Sequence, residues 1–248
     1  NKNCVNSSDI YFIRQNKEKQ AQQAKELGIN GCDDYDSLIE NSDILFLGVK
    51  PVVFPTLLPQ IAKSVKKKNP LVVSMAAGLT TDSIREMLGY DAKIIRIMPN
   101  VNAAIAMSTT AVCKNEFASD EDLATIKNLF STIGLTTEVP ENQFAIFTAI
   151  AGCSPAYVYM FIDGLARGAQ KMGMNKQKAL EIAASAVIGS ASMYAQSNEH
   201  PQELVDKVCS PGGTTIEGVT TLEEYKFTAG VVKAVENSIL KDRELSKK

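Results

Sequence analysis

Up to Pro140 this chain alternates short apolar runs with amphipathic stretches, and beyond Pro140 only helical patterning continues. Few layer architectures accept such a sequence. Runs such as Ile44-Leu45-Phe46-Leu47 and Ile94-Ile95-Arg96-Ile97-Met98 have the composition of strands covered on both faces. Further strands are expected at 9–13, 71–74, 109–113 and 135–139, with helices at 17–27, 57–65, 81–88 and 119–132 and a helical turn at 37–41. Gly28 suits the end of the first helix, and Ser119-Asp120-Glu121-Asp122 has the pattern of a capping box opening the last. Strands alternating with helices predict a parallel, doubly wound sheet with right-handed crossovers. A ligand of such a sheet lies outside the carboxyl ends of its strands.

Three segments fall at those ends: Gly48-Val49-Lys50-Pro51, Met75-Ala76-Ala77-Gly78 and Met98-Pro99-Asn100. Small residues and proline there let a flat ligand reach the backbone, although each segment alone also reads as an ordinary strand-to-helix turn. Arg14-Gln15-Asn16-Lys17 follows the first run, where folds of this kind meet an adenosine ribose. An arginine there, in place of an acidic residue, suits a 2′-phosphate and hence NADP over NAD. Two solvated helix-start charges, Arg14 and Lys17, would give the same pattern. The Gly-rich turn that normally seats a pyrophosphate is not in the sequence, which starts with Asn just before the expected second strand, so a truncated N-terminus is expected.

Beyond Pro140, helices are expected at 141–151, 155–172, 176–196, 202–208, 215–224 and 228–245, with Gly173, Asn175 and Pro201 at their boundaries. The domain division is therefore 1–140 and 141–248. Ala183, Ala184, Ala186, Gly189 and Ala191 make one helix thin enough for close approach, by a second subunit or by a neighbour in a single-chain bundle. Within this half, the stretch from Asp206 to Glu224 ends one helix at Ser210-Pro211, turns through Gly212-Gly213 and restarts at Thr214-Thr215. A helix start exposes unpaired N–H groups at the positive end of the helix dipole, and so can hold a carboxylate or phosphate. A plain Gly-rich turn capped by Ser and Thr is the other reading.

Charge narrows the partners. With 26 basic and 28 acidic residues there is no electrostatic footprint for nucleic acid or an anionic membrane, and a small neutral or anionic ligand fits better. Cys4, Cys32, Cys113, Cys153 and Cys209 are scattered, odd in number and without metal-ligand spacing, as expected of reduced thiols in the cytoplasm. The single histidine, His200, argues against a His-based triad or a multi-histidine metal site, and no metal is expected. The uncharged stretch 144–162 is nearly long enough to span a bilayer, but Gly152-Cys153-Ser154-Pro155 predicts a break or kink between two buried helices instead.

With these residues collected, the chain resembles the pyrroline-5-carboxylate reductases along essentially its whole length. The most specific block is DKVCSPGGTTIEGVTTLE, supported by FLGVKP, SMAAG, RIMPN, SPAYVYMFIDGLARGAQKMGM and NEHPQEL. The resemblance implies an α/β Rossmann-type dinucleotide-binding domain, here lacking its first β-α unit, followed by an all-α dimerisation domain. It also implies a homodimer or larger homo-oligomer such as a decamer, and NAD(P)H as reductant, NADPH before NADH. The substrate would be 1-pyrroline-5-carboxylate. By position, Ser210, Gly213 and Thr214 match the carboxylate grip, Thr215 the hydroxyl facing the ring nitrogen, and Glu199 an acidic position near the substrate. Gly48, Val49, Lys50, Pro51, Met75, Ala76, Ala77 and Glu141 match cofactor-contacting positions, to which the strand-end residues Arg14, Asn16 and Asn100 are added. The chain departs from the family pattern in the absent Gly-rich loop, in Ala151-Gly152-Cys153-Ser154-Pro155 for the usual Ser-Gly-Ser-Gly-Pro, and near Tyr35-Asp36, where an Asn is frequent.

The expected chemistry is hydride transfer to the imine carbon, giving L-proline, with catalysis dominated by positioning. Thr215 is the expected catalytic residue; a general acid, where one is needed, is Glu199 or water. Two rivals remain at this point. A hydroxyacid dehydrogenase would place a catalytic lysine in the region 153–167, which has none. A catalytically silent oligomeric protein could hold proline or another anion at the same helix start.

Overall fold

The structure is a computed structural model and describes residues 4–245. It divides into two compact units, one running to Gly152 and including the C-terminal stretch from Ile239, the other Cys153–Ser238.

The first unit opens with β1 (Tyr11–Phe12), α1 (Lys17–Leu27), β2 (Asn30–Gly31) and α2 (Tyr35–Glu40), then continues through β3 (Ile44–Leu47), α3 (Phe54–Lys68), β4 (Leu71–Ser74), α4 (Thr81–Leu88), β5 (Ile94–Met98), β6 (Ser108–Lys114), α5 (Asp120–Ser131) and β7 (Gly134–Glu138). β1 and β2 form a parallel pair of their own, and the other five strands form one sheet in sequence order. Asn30–Gly31 went unpredicted because two residues carry no periodicity.

The sheet is mixed, not wholly parallel as the strand-helix alternation suggested. β3, β4 and β5 run parallel, β6 returns antiparallel to β5, and β7 is parallel to β6. The reason lies in the connection. Only a 3-10 turn, Val101–Ile105, separates β5 from β6, with Ala106 at φ 57°. A parallel return needs a crossover of about a dozen residues or more.

Successive residues of β4 and β5 face opposite layers. Val72 and Ile94 join Phe54, Leu57, Leu58, Ile61 and Val65 of α3 and Ile84 and Leu88 of α4 in one core. Leu71, Val73, Ile95 and Ile97 pack with Leu123 and Ile126 of α5 in the other. The α3 positions follow i, i+3, i+4, i+7, the spacing of one helix face. The capping box at Ser119 forms as expected, its Oγ accepting from Asp122 N–H while Asp122 accepts from Ser119 N–H. Gly134, at φ 145°, is the one place where a Cβ would run into the backbone of Ser108 across the β6–β7 pair.

Sequence composition divides the chain at Pro140, but the first unit continues to Gly152 because Phe144 is buried against Ala111 and Cys113 of β6. The helical run Glu141–Lys171 is continuous. It passes from α6 (Phe144–Phe147) through a π-helical turn, Thr148–Cys153, into α7 (Ser154–Lys171). The expected interruption is thus a π-turn within one run. By length and composition this run is apolar enough to cross a membrane, but in place of two buried helices it leaves Val158, Tyr159, Met160, Phe161 and Leu165 of α7 exposed.

The second unit continues with α8 (Lys176–Gln196), α9 (Pro201–Val208), α10 (Thr214–Glu224) and α11 (Phe227–Leu245). Asn175 caps α8 by accepting from Lys178 N–H. α7 and α8 pack through alanines, with Ala166, Ala179 and Ala183 buried. Tyr157 Oη lies 2.7 Å from Ser238 Oγ, and the rings of Phe161 and Phe227 are 5.9 Å apart. α9, α10 and α11 contain no buried residue.

Candidate active site

Parallel pairing brings the strand ends level, with Leu47 opposite Ser74 and Ser74 opposite Arg96. Gly48, Met75 and the Met98-Pro99-Asn100 segment therefore leave the same edge of the sheet. A Cβ at Gly48 would stand 3.2 Å from Met75 Cε, the end of a flexible side chain on the neighbouring strand end. Ser74 Oγ accepts from Ala76 N–H at 3.2 Å and turns the chain. Ala76 is 2% exposed and belongs to the core, so only its backbone is available. Gly48, Val49, Lys50, Pro51 and Ala77 are exposed, and Met75 is half-buried.

At the end of β1, Asn16 Oδ1 accepts from Lys19 N–H and caps α1. Arg14 N–H donates to Gln20 Oε1, and the exposed guanidinium donates from Nη1 to Gln23 Oε1 at 2.6 Å. Lys17, also exposed, donates from Nζ to the carbonyls of Cys32 and Asp33.

Two expected cofactor contacts have their side chains committed elsewhere. Asn100 Oδ1 accepts from Thr109 N–H at 3.2 Å, and its Nδ2 donates to Ala151 O at 3.0 Å. Glu141 Oε1 accepts from Thr81 N–H at 2.8 Å and Oε2 from the Thr81 hydroxyl at 2.9 Å, while Arg96 Nη1 stands 3.4 Å from Oε1. Both residues therefore brace the first unit from these positions. Arg96 and Gln20 were missed. A lone arginine in the apolar run IIRIM was the available signal for the first; Gln20, 6% exposed and donating to Cys32 O, had none.

In the second unit, Ser210-Pro211-Gly212-Gly213 forms a turn with Pro second and Gly212 third at φ 67°, closed by Gly213 N–H on Ser210 O at 3.0 Å. The Gly213 N–H closes this turn, which places it beside the N–H groups of Thr214 and Thr215. A Cβ at Gly213 would also collide with Ser210 Oγ, so the turn requires glycine there. Gly213 is the N-cap of α10 without a side-chain cap. Among the described residues none accepts from the N–H groups of Thr214, Thr215 or Ile216. Ser210 and Thr214 are exposed and Thr215 is half-buried, with no partner for any of the three hydroxyls among the described residues. Glu199 Oε2 stands 2.5 Å from Lys207 Nζ of α9.

A model of pyrroline-5-carboxylate reductase dimerisation matches residues 141–245, and one described as NADP oxidoreductase, coenzyme F420-dependent, matches residues 1–78. Pyrroline-5-carboxylate reductase of Escherichia coli (strain K12) is 40% identical over 238 residues, 96% of this chain and 88% of that protein. This chain belongs to the pyrroline-5-carboxylate reductase family. Pyrroline-5-carboxylate reductase 2 of Homo sapiens is 36% identical, over 89% of this chain and 70% of that protein. Among solved structures, the reductase of Streptococcus pyogenes aligns at TM-score 0.84 and 36% identity, covering 94% of this chain and 88% of that one. The Plasmodium falciparum pyrroline carboxylate reductase, solved with NADP bound, aligns at TM-score 0.88 and 27% identity, covering 99% and 90%. The fold is that of the family, a Rossmann-like nucleotide-binding unit with a mixed sheet followed by a helical dimerisation domain.

Proposed function

We propose that the chain reduces 1-pyrroline-5-carboxylate to L-proline with NADPH, the last step of proline biosynthesis. The observation that carries this is the start of α10. Three adjacent N–H groups, Thr214 to Ile216, have no partner among the described residues and stand at a positive helix end, beside the hydroxyls of Thr214 and Thr215, in a chain whose relatives are named for this reaction. A cyclic imine bearing one carboxylate offers what that turn can hold.

NADPH supplies the hydride when bound. The chain's own rim fits it: Gly48 to Pro51, Met75 to Ala77 and the exposed Arg14 would hold the nicotinamide side and the 2′-phosphate respectively, with Asn16 fixing the helix start beside Arg14. Asn100 and Glu141 keep that rim in place. Thr214 and Thr215 N–H hold the substrate carboxylate with the Ser210 hydroxyl, and Gly213 shapes the turn. The Thr215 hydroxyl hydrogen-bonds the ring nitrogen, orienting the C=N carbon for attack. The nitrogen takes up one proton over the cycle, from water or through Glu199, so hydride and proton together give the amine. None of these tasks needs a strongly perturbed acid or base, and alignment supplies most of the rate.

We further propose residues 1–140 as the cofactor domain and 141–248 as the substrate and dimerisation domain, dimers associating further into a decamer, in the cytoplasm. The exposed apolar helices of the second unit support the association, and five free cysteines support a reducing compartment.

The test is NADPH oxidation by the full-length protein with 1-pyrroline-5-carboxylate, compared with Thr215→Ala. We expect turnover by the wild type, and a fall of roughly tenfold or more in kcat/KM for the variant, about 1.4 kcal/mol, from one lost hydrogen bond. A wild type that fails to oxidise NADPH but is thermally shifted by proline would be a silent binding protein and would overturn the proposal.

A further inference from the structure

Glu141 reaches its partners from far along the chain. It lies on the 3-10 turn Glu141–Gln143 after β7, yet its carboxylate caps the N-terminus of α4 through the backbone N–H and hydroxyl of Thr81, sixty positions earlier. The loop it secures is the one carrying Met75, Ala76 and Ala77. The same carboxylate meets Arg96, two residues before Met98-Pro99-Asn100. One group therefore ties two of the three strand ends on the cofactor rim to the segment after β7.

Stability alone is a poor account of this cluster. Arg96 is 5% exposed, its closest approach to Glu141 is 3.4 Å, and its Nε has no partner among the described residues. A pair with a buried guanidinium, a partly exposed carboxylate and such loose geometry offsets little of the cost of desolvating Arg96, and an apolar side chain of equal volume would serve packing as well. What the pair does provide is orientation. The guanidinium plane lies over the Phe144 ring, 4.5 Å from Cζ to the centroid, so arginine's direction is fixed from two sides.

We infer that Arg96 and Glu141 are positioning residues for the reduction: through Thr81 they set the height of the Met75-Ala76-Ala77 loop against the Met98-Pro99-Asn100 end, and so set how the nicotinamide lies, without touching it. This rests on reading the strand ends as the cofactor rim.

Glu141→Gln keeps an acceptor for Thr81 N–H but removes the charge, Arg96→Met keeps length and bulk without it, and Thr81→Val removes one hydroxyl contact only. Each is assayed in the full-length protein for NADPH affinity by nicotinamide fluorescence without turnover, for kcat and the imine KM, and for Tm. We expect Glu141→Gln and Arg96→Met to weaken NADPH binding about tenfold and lower kcat, with the imine KM within about twofold of wild type. Thr81→Val should shift NADPH affinity in the same direction, and combining it with Glu141→Gln should lose no more than the worse single variant. Variants with lowered Tm but wild-type NADPH affinity and kcat in the folded protein would show a purely structural cluster and overturn the inference. Should Glu141→Gln and Arg96→Met not fold, wild-type NADPH affinity in Thr81→Val overturns it equally. Wild-type protein that binds no NADPH overturns the cofactor reading itself, and the inference with it.

Discussion

Phe54, Leu58, Val65, Val73, Ile94, Ile95 and Ile97 of the sheet-bearing unit are fully buried within one chain, whereas the helical unit buries only Pro155, Ala166, Ala179 and Ala183. Three of its helices bury nothing, and Met160, Ile188, Met193 and Tyr225 stand exposed at 74%, 63%, 67% and 82%. The two kinds of layer explain the difference. A sheet sandwiched between helices closes its own core, because each strand offers both faces to in-chain partners. A set of helices carrying alanine on the side that packs within the chain and large apolar residues on the other is completed by another copy. This agrees with the match of residues 141–245 to a dimerisation domain. The stability of the first unit is therefore a property of the chain, and that of the second a property of its concentration.

That contrast is open to three tests. The largest effect is expected for Leu58→Ala, which removes a side chain of 0% exposure from between α3 and the sheet. Unfolding should be easier by about 2–5 kcal/mol, to the same extent at any protein concentration. Chemical denaturation at two concentrations checks this, and a concentration-dependent loss would blur the comparison.

The second concerns a thiol buried in the first unit. Burial pushes the Cys113 thiol from its ordinary 9.0 up to about 12, Glu141 nearby pushing the same way and Arg96 against. The raised value means the folded state holds the protonated thiol longer than the unfolded state does. Its contribution is thus complete below about pH 9 and is lost as pH climbs towards 12, by at most about 1.4 kcal/mol per pH unit. Cys113→Val should flatten that part of a stability-against-pH curve. An unchanged alkaline slope would remove the thiol from the account; Tyr90, also raised by burial, acts in the same direction and sets the residual slope.

The smallest effect on the single chain is expected in the second unit. Ile188→Asp places a charge on the exposed face of α8 and should leave the helical content unchanged. Association should weaken at least tenfold in sedimentation equilibrium, about 1.4 kcal/mol, with loss of the rise of Tm with protein concentration that the wild type should show. Unaltered association would move the contact to another face.

Much of the fold was readable because the signals were local. α4, α8 and β5 have the bounds expected from periodicity and caps, and Pro-Gly at 211–212 predicts the turn that forms there. The antiparallel β6 was not readable as a strand direction, since direction follows from the length of the connection and not from the strand's own residues. The site divides in the same way. Ser210, Thr214 and Thr215 stand in one turn and could be grouped from sequence, whereas the bracing of Asn100 by Ala151 O and of Glu141 by Thr81 and Arg96 joins residues 45 to 60 positions apart.

By itself, then, the sequence determined the layer class, several helix boundaries, the Ser-Pro-Gly-Gly turn and the family, all of which rest on residues within a few positions of one another. Tertiary structure decided which polar groups were left over to act. The Gly213 N–H closes its own turn and the Glu141 carboxylate meets a distant helix start, while the N–H groups of Thr214, Thr215 and Ile216 have no partner among the described residues. Hydrogen-bond capacity is finite, and only the folded chain settles which groups have used theirs.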